Sequence, residues 1–338
     1  MSALAAPLAV AVLPVLGFLA ALVLLDSYKL VKVHTVLAAL AGGVLVAGAA
    51  YLLHDRLLGW TGLDLRVFSR WVAPLTEELL KGLVVVALVK SRRVGFLVDA
   101  AILGFAIGAG FAVVENAYFV HLASGASMTT WVVRGFGTAL MHGGATAAQA
   151  LLALTVLERR PGAALAAFLP GWLLAAALHS AYNHLGGSTQ LATLATLVAV
   201  PLVLLAAFQI GERRTADWIG SGFDADVERL AMLDSGHFAE SPAGQYLRTL
   251  RRTFDGPVVA DALCYLRLYT ELALRAKGAL MLRENGLPVP PIDAETRSRL
   301  AELRWLQKSI GATGLRALRP LLPAGMKDLK QIELIGSR

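Results

Sequence analysis

The sequence predicts an all-α fold: a polytopic bundle of seven transmembrane helices followed by a soluble helical domain. Three observations carry this. Hydrophobic residues make up 57% and charged residues 16% of the 338, with a mean hydropathy of +0.63, whereas soluble chains are roughly 45–50% apolar and about 25% charged. Seven stretches, at about 3–25, 34–53, 71–89, 95–120, 131–157, 163–186 and 190–210, are apolar enough to cross a bilayer, which takes about 20 residues. After residue 211 the character changes, and the last 127 residues hold 19 Lys or Arg and 16 Asp or Glu with no spanning stretch. Residues 1–211 therefore read as the membrane domain and 212–338 as a separate helical domain.

The first stretch has no Lys or Arg ahead of it and stays apolar to Leu25. A signal peptide has a basic start and a shorter apolar core, so this stretch reads as a retained helix. Lys29 and Lys32 follow it, Lys90, Arg92 and Arg93 follow the third stretch, Arg159 and Arg160 the fifth, and Arg213 and Arg214 the seventh. Basic residues mark the cytoplasmic side, which puts the N-terminus outside and residues 212–338 in the cytoplasm of a cell-membrane protein. The 54–70 stretch "HDRLLGWTGLDLRVFSR" mixes charges with Leu, Trp and Phe. It reads as an interfacial helix or lid, and its arginines run against the charge bias. In the tail, "DALCYLRLYTELALRAKGALMLRENG" and "DAETRSRLAELRWLQKSIG" are amphipathic helices, the first stopped by Gly286 and Pro288 and the second capped by Asp293. The net charge of +7 clusters at segment ends and is topological, so nucleic acid is not an expected partner. A single cysteine, Cys264, excludes an intramolecular disulfide framework or a Cys-rich metal site.

The informative residues are the polar ones inside the apolar stretches, because a charge at a helix centre costs about 2.5–3.5 kcal/mol on insertion scales. The third stretch carries Glu77, Glu78 and Lys81, the fourth Asp99, Glu115 and Asn116, the fifth Arg134 and His142, and the sixth His179, Asn183 and His184. With the orientation above and a rise of 1.5 Å per residue, Glu77, Glu115, His142 and His179 all fall roughly 9–12 Å below the outer surface. Asp99 lies at the inner end and reads, like Arg134, as structural. Glu77 and Lys81 are spaced i,i+4 and suit an ion pair, which leaves Glu78 turned about 100° toward another neighbour. His179 and Asn183 share a face. Carboxylates that act on water, with imidazole and amide donors beside them, suit amide hydrolysis. Such a site requires no cofactor. The same inventory also suits a divalent metal such as zinc, held by His142, His179 and Glu78. The residues leave both open.

"EELLK" at Glu77–Lys81, "FAVVEN" at Phe111–Asn116 and "HSAYN" at His179–Asn183, with His142 between, resemble in order and type the motifs of the PrsW family of intramembrane proteases. That family is distantly similar to the CAAX-processing and bacteriocin-processing membrane proteases. The resemblance covers about residues 70–185. It implies a membrane-embedded peptidase that cleaves membrane-tethered proteins, including the first extracytoplasmic cleavage of an anti-sigma factor. By motif position, Glu77 and Glu78 would activate water, His142 and His179 would position it, and Asn183 would donate to an oxyanion. Glu115 completes the set, with Lys81 and Asn116 in support. Two other functions fit a polar membrane bundle: a proton-coupled transporter, and a sensor or scaffold whose cytoplasmic tail binds a partner.

Overall fold

The computed structural model describes residues 4–123, 125–160, 164–185 and 189–322. All regular structure among them is helical, with no strand. The chain divides into two compact units, Met1–Glu212 and Arg213–Arg338. The first contains α1 (Ala5–Leu25), α2 (Val33–Thr61), α3 (Ala73–Lys90), α4 (Leu97–Leu122), α5 (Ala139–Arg159), α6 (Leu169–His184) and the start of α7 (Thr189–Ser235).

Among the described residues, six helices are long and apolar enough to cross a membrane, not the seven expected. The exception is α3, where Glu77, Glu78, Lys81 and Lys90 fall within 18 residues. It is nonetheless part of an unbroken helical run from Leu65 to Lys90. The 54–70 stretch, read as an interfacial helix or lid, is largely helical, its first half as a continuation of α2. α2 continues to Thr61, where Gly62 (φ 63°) closes it in the left-handed conformation. The last stretch also overruns its predicted end at 210, because the Glu, Arg and Ala that follow are good helix formers.

α4 is the central helix and packs on α1, α2 and α5. Its sequence permits this because glycines lie where neighbouring backbones approach. A Cβ on Gly108 would collide with the carbonyl oxygen of His142, and one on Gly110 with that of Leu40, while Gly43 of α2 makes the reciprocal close approach to Ile107. Small residues at such crossings let polar side chains on adjacent helices reach one another. At the other end of α4, Asp99 accepts the backbone N–H groups of Gly95 and Phe96 at 2.9 and 2.7 Å. It has the structural role the sequence suggested.

The second unit contains α8 (Pro242–Leu250), α9 (Gly256–Glu284) and α10 (Ala294–Leu318). Its core is built from Leu247, Tyr265, Tyr269, Leu272, Leu303 and Leu306. Asp293 caps α10 by accepting the Thr296 N–H at 2.7 Å, and Gly286 (φ 66°) follows the end of α9. Not all its charges are solvated: Lys277 is buried on Asp226 at 2.7 Å.

The close approach at Gly108 predicts that Gly108→Ala lowers stability by about 1–3 kcal/mol through overpacking. Gly48→Ala, with nothing within 4 Å of the added methyl, should stay within about 0.5 kcal/mol. Thermal unfolding of the two purified variants in the same detergent checks the contrast.

Candidate active site

Two widened turns prepare the site. Phe68–Val72, ahead of α3, and Arg134–Thr138, ahead of α5, are π-helical, a local form that often marks functional positions. Side chains from other helices satisfy carbonyl groups in these turns. Asn183 Nδ2 donates to Ser69 O at 2.8 Å and Ser180 Oγ to Arg70 O at 2.6 Å. Asn116 Nδ2 donates to Ala11 O at 2.7 Å and to Arg134 O at 3.3 Å. The two asparagines thus pin the two turns.

Between them, α3, α4, α5 and α6 bring the predicted polar groups together. Lys81 Nζ lies 2.5 Å from Glu78 Oε1 and 3.0 Å from His142 Nδ1, and 4.4 Å from the centre of the Phe111 ring. Glu78 Oε1 also receives His179 Nδ1 at 2.9 Å. His142 Nε2 lies 3.1 Å from Glu115 Oε2, which Arg134 approaches to 3.2 Å. Arg134 Nε in turn donates to Asn116 Oδ1 at 2.9 Å. Because an ammonium only donates, His142 accepts at Nδ1, and its Nε2–H donates to Glu115. His179 donates its Nδ1–H to the Glu78 carboxylate.

The predicted pair of Glu77 with Lys81 is not formed; Lys81 pairs with Glu78, three residues away. Glu77 Oε2 is instead buried with no hydrogen-bond partner. Its nearest imidazoles are His54 and His179, each 3.9 Å away. Glu77, Glu115, Arg134, His142, His179 and Asn183 all line one cavity of about 560 Å³. Glu78 lies behind that wall. The donor atoms that cluster as a metal set are those of Glu77, His142 and His179, all within 4.8 Å of one another. Glu77 therefore replaces Glu78 in the set expected from sequence, because Glu78 is taken up by Lys81 and His179.

One participant escapes the sequence reading. His54 falls in the stretch read as an interfacial helix or lid, yet it stands on α2 beside Glu77 and Thr76. It lies seven residues before the end of α2 at Thr61, about 10 Å along the helix, and the sequence signal for this is that no Pro interrupts the stretch before Gly62. Arg134, structural by sequence, is the cation that pairs with Glu115, a role consistent with that reading.

A multi-pass α-helical membrane protein that encloses a carboxylate–imidazole centre is the class these features define. The chain belongs to the PrsW family of intramembrane metalloproteases, whose profile matches residues 32–207, just over half of its length. Membership makes it a membrane peptidase. No curated protein and no solved structure matches it.

The buried Lys81–Glu78 pair predicts a strongly asymmetric mutational response. Lys81→Met leaves Glu78 without its cation and should cost about 3–5 kcal/mol, whereas Glu78→Gln with Lys81→Met removes both charges and should recover much of that loss. The yield of folded, membrane-inserted protein and its thermal midpoint measure both.

Proposed function

We propose that the chain is a seven-span peptidase that hydrolyses peptide bonds of membrane-tethered proteins, with Glu77 as the carboxylate that acts on water. One observation carries this: of three glutamates at the site, two are held by cations and one is not. Glu78 lies against Lys81, and Glu115 against Arg134. Glu77 has an unpartnered oxygen at the cavity wall, so its lone pairs remain available to a water molecule.

In this reading Glu77 takes one proton from water as the water oxygen adds to the scissile carbonyl carbon. It returns that proton to the amine nitrogen as the C–N bond breaks. His179, fixed by its Nδ1–H on Glu78, turns Nε2 away from that bond and borders the reacting groups. Asn183 keeps one N–H on Ser69 and has a second for the developing oxyanion. α3 serves as the seventh span, its charges matched inside the bundle. The loop charges support an extracytoplasmic site with residues 212–338 in the cytoplasm. The family resemblance supports a membrane-anchored substrate such as an anti-sigma factor.

The donor cluster and the family description favour a second reading, in which Glu77, His142 and His179 hold a divalent ion. The residues fit such an ion in type: two imidazoles and a carboxylate suit zinc, Glu77 Oε2 is buried without a partner, and no hydrogen bond occupies His179 Nε2 among the described residues; His142, bonded here at both nitrogens, would exchange its bond to Glu115 for the ion. When bound, the ion would polarise the scissile carbonyl and acidify water. Glu78 would then hold His179 in its ligating orientation, as outer carboxylates commonly do.

The test compares membrane-protein fragments in cells expressing wild type, Glu77→Gln and Glu77→Ala, each with and without a chelator. Loss of a general base should lower cleavage about 10²–10⁴-fold while the variants still accumulate in the membrane. Cleavage by Glu77→Gln at the wild-type rate would falsify both readings. Chelator-resistant cleavage selects the first reading; loss reversed by added zinc selects the second.

A further inference from the structure

We propose that His54 is a positioning residue for Glu77, holding Oε1 so that the carboxylate keeps its place between His54 and His179 at the cavity wall. The inference rests on the reading of Glu77 as the working carboxylate. His54 sits on α2, and its ring is 17% exposed. Nε2 lies 2.8 Å from Thr76 Oγ1. That hydroxyl is 3.0 Å from both Val72 O and Ala73 O, so its single hydrogen points back to the helix and its oxygen accepts from His54 Nε2–H. The hydrogen bond fixes the tautomer and leaves Nδ1 with a lone pair. Phe68 holds the ring edge-on, with centroids 5.1 Å apart and planes at 80°.

Nδ1 points at Glu77 Oε1 across 3.9 Å. That separation is too long for a direct hydrogen bond, and a bridging water would give one hydrogen to each acceptor. Glu77 Oε2 is 3.9 Å from His179 on the opposite side. His54 and His179 therefore flank the Glu77 carboxylate, one at each oxygen, in a chain His54–Glu77–His179. Thr76 extends this chain to the backbone just after the π-helical turn. Side chains that orient a reacting group in this way commonly matter as much as the contacts they support.

The experiment uses the full chain in lipid nanodiscs and, as substrate, a membrane protein whose fragment appears only in cells that express the chain. His54→Ala should lower kcat roughly 10- to 100-fold with KM within about twofold, a loss typical of slight misplacement of a reacting group. Thr76→Val should reproduce the loss, Thr76→Ser should restore cleavage, and the double variant His54→Ala/Thr76→Val should be no worse than either single, because both break one chain of contacts. Nitrogen NMR of histidine-labelled protein gives a second readout, with the His54 signals identified by their loss in His54→Gln. Wild type should show a protonated Nε2 and an accepting Nδ1, and Glu77→Ala should shift the Nδ1 signal. Should His54→Ala fail to accumulate, Thr76→Val and the spectrum decide. A wild-type kcat in His54→Ala, multiplicative losses in the double variant, or the opposite tautomer would each overturn the proposal. Undiminished cleavage by Glu77→Ala removes the underlying reading instead, an outcome distinct from loss in Glu77→Ala with full activity in His54→Ala.

Discussion

The site depends on one buried ammonium. Lys81 is fully buried, and its three donor hydrogens are set among groups from three helices: Glu78 beside it on α3, His142 on α5 and the Phe111 ring on α4. Glu78 carries the link on to His179 of α6. A charge in an apolar bundle is tolerable only when paired and hydrogen-bonded, so the position of Lys81 fixes those of Glu78, His142 and His179. A second, less buried cation does the same for Glu115. Arg134 approaches it while bonding Asn116 through Nε and lying over the Phe119 ring at 3.8 Å.

The backbone is shaped to allow this. His142 can reach Lys81 because α5 runs close to α4 at Gly108, where no side chain intervenes. The π-helical turn at Arg134–Thr138 precedes α5 and is held by Asn116. A transporter reading would require ionisable groups to continue across the bundle as a relay. Toward the other end of α4, Asp99 is occupied with the backbone at Gly95 and Phe96, which suits a helix start better than a proton path. Glu77, Glu115, Arg134, His142, His179 and Asn183 instead line one cavity, an arrangement that suits hydrolysis.

Much of this was legible in the sequence. The apolar stretches mark the helices because their length and composition directly reflect the solvent they cross. The site residues could be found because an ionisable group in such a stretch needs a reason to be there. Ends were harder. α2 passes its predicted end by eight residues, from 53 to Thr61, because "HDRLLGWT" is polar enough to leave an apolar stretch yet has no Pro, and the helix carries Gly59 within it before Gly62 closes it. That misplaced end hid His54. α3 fails the composition test for a span for the same reason that it matters: its charges are matched by partners on other helices, which hydropathy along one chain does not register.

The exchange of roles between Glu77 and Glu78 shows what spacing alone leaves undecided. Lys81 can meet a carboxylate at either i−4 or i−3, since both lie on its side of the helix. On an isolated helix the i−4 partner, Glu77, would be preferred. In the bundle Lys81 must also meet His142, and Glu78 must meet His179, so one buried cluster is built around the i−3 pair. Glu77, about 100° around the helix, is left facing His54 and the cavity with no cation of its own. The pair that sequence spacing favours would have neutralised the carboxylate that lines the cavity. The pair that forms leaves that carboxylate without a cation.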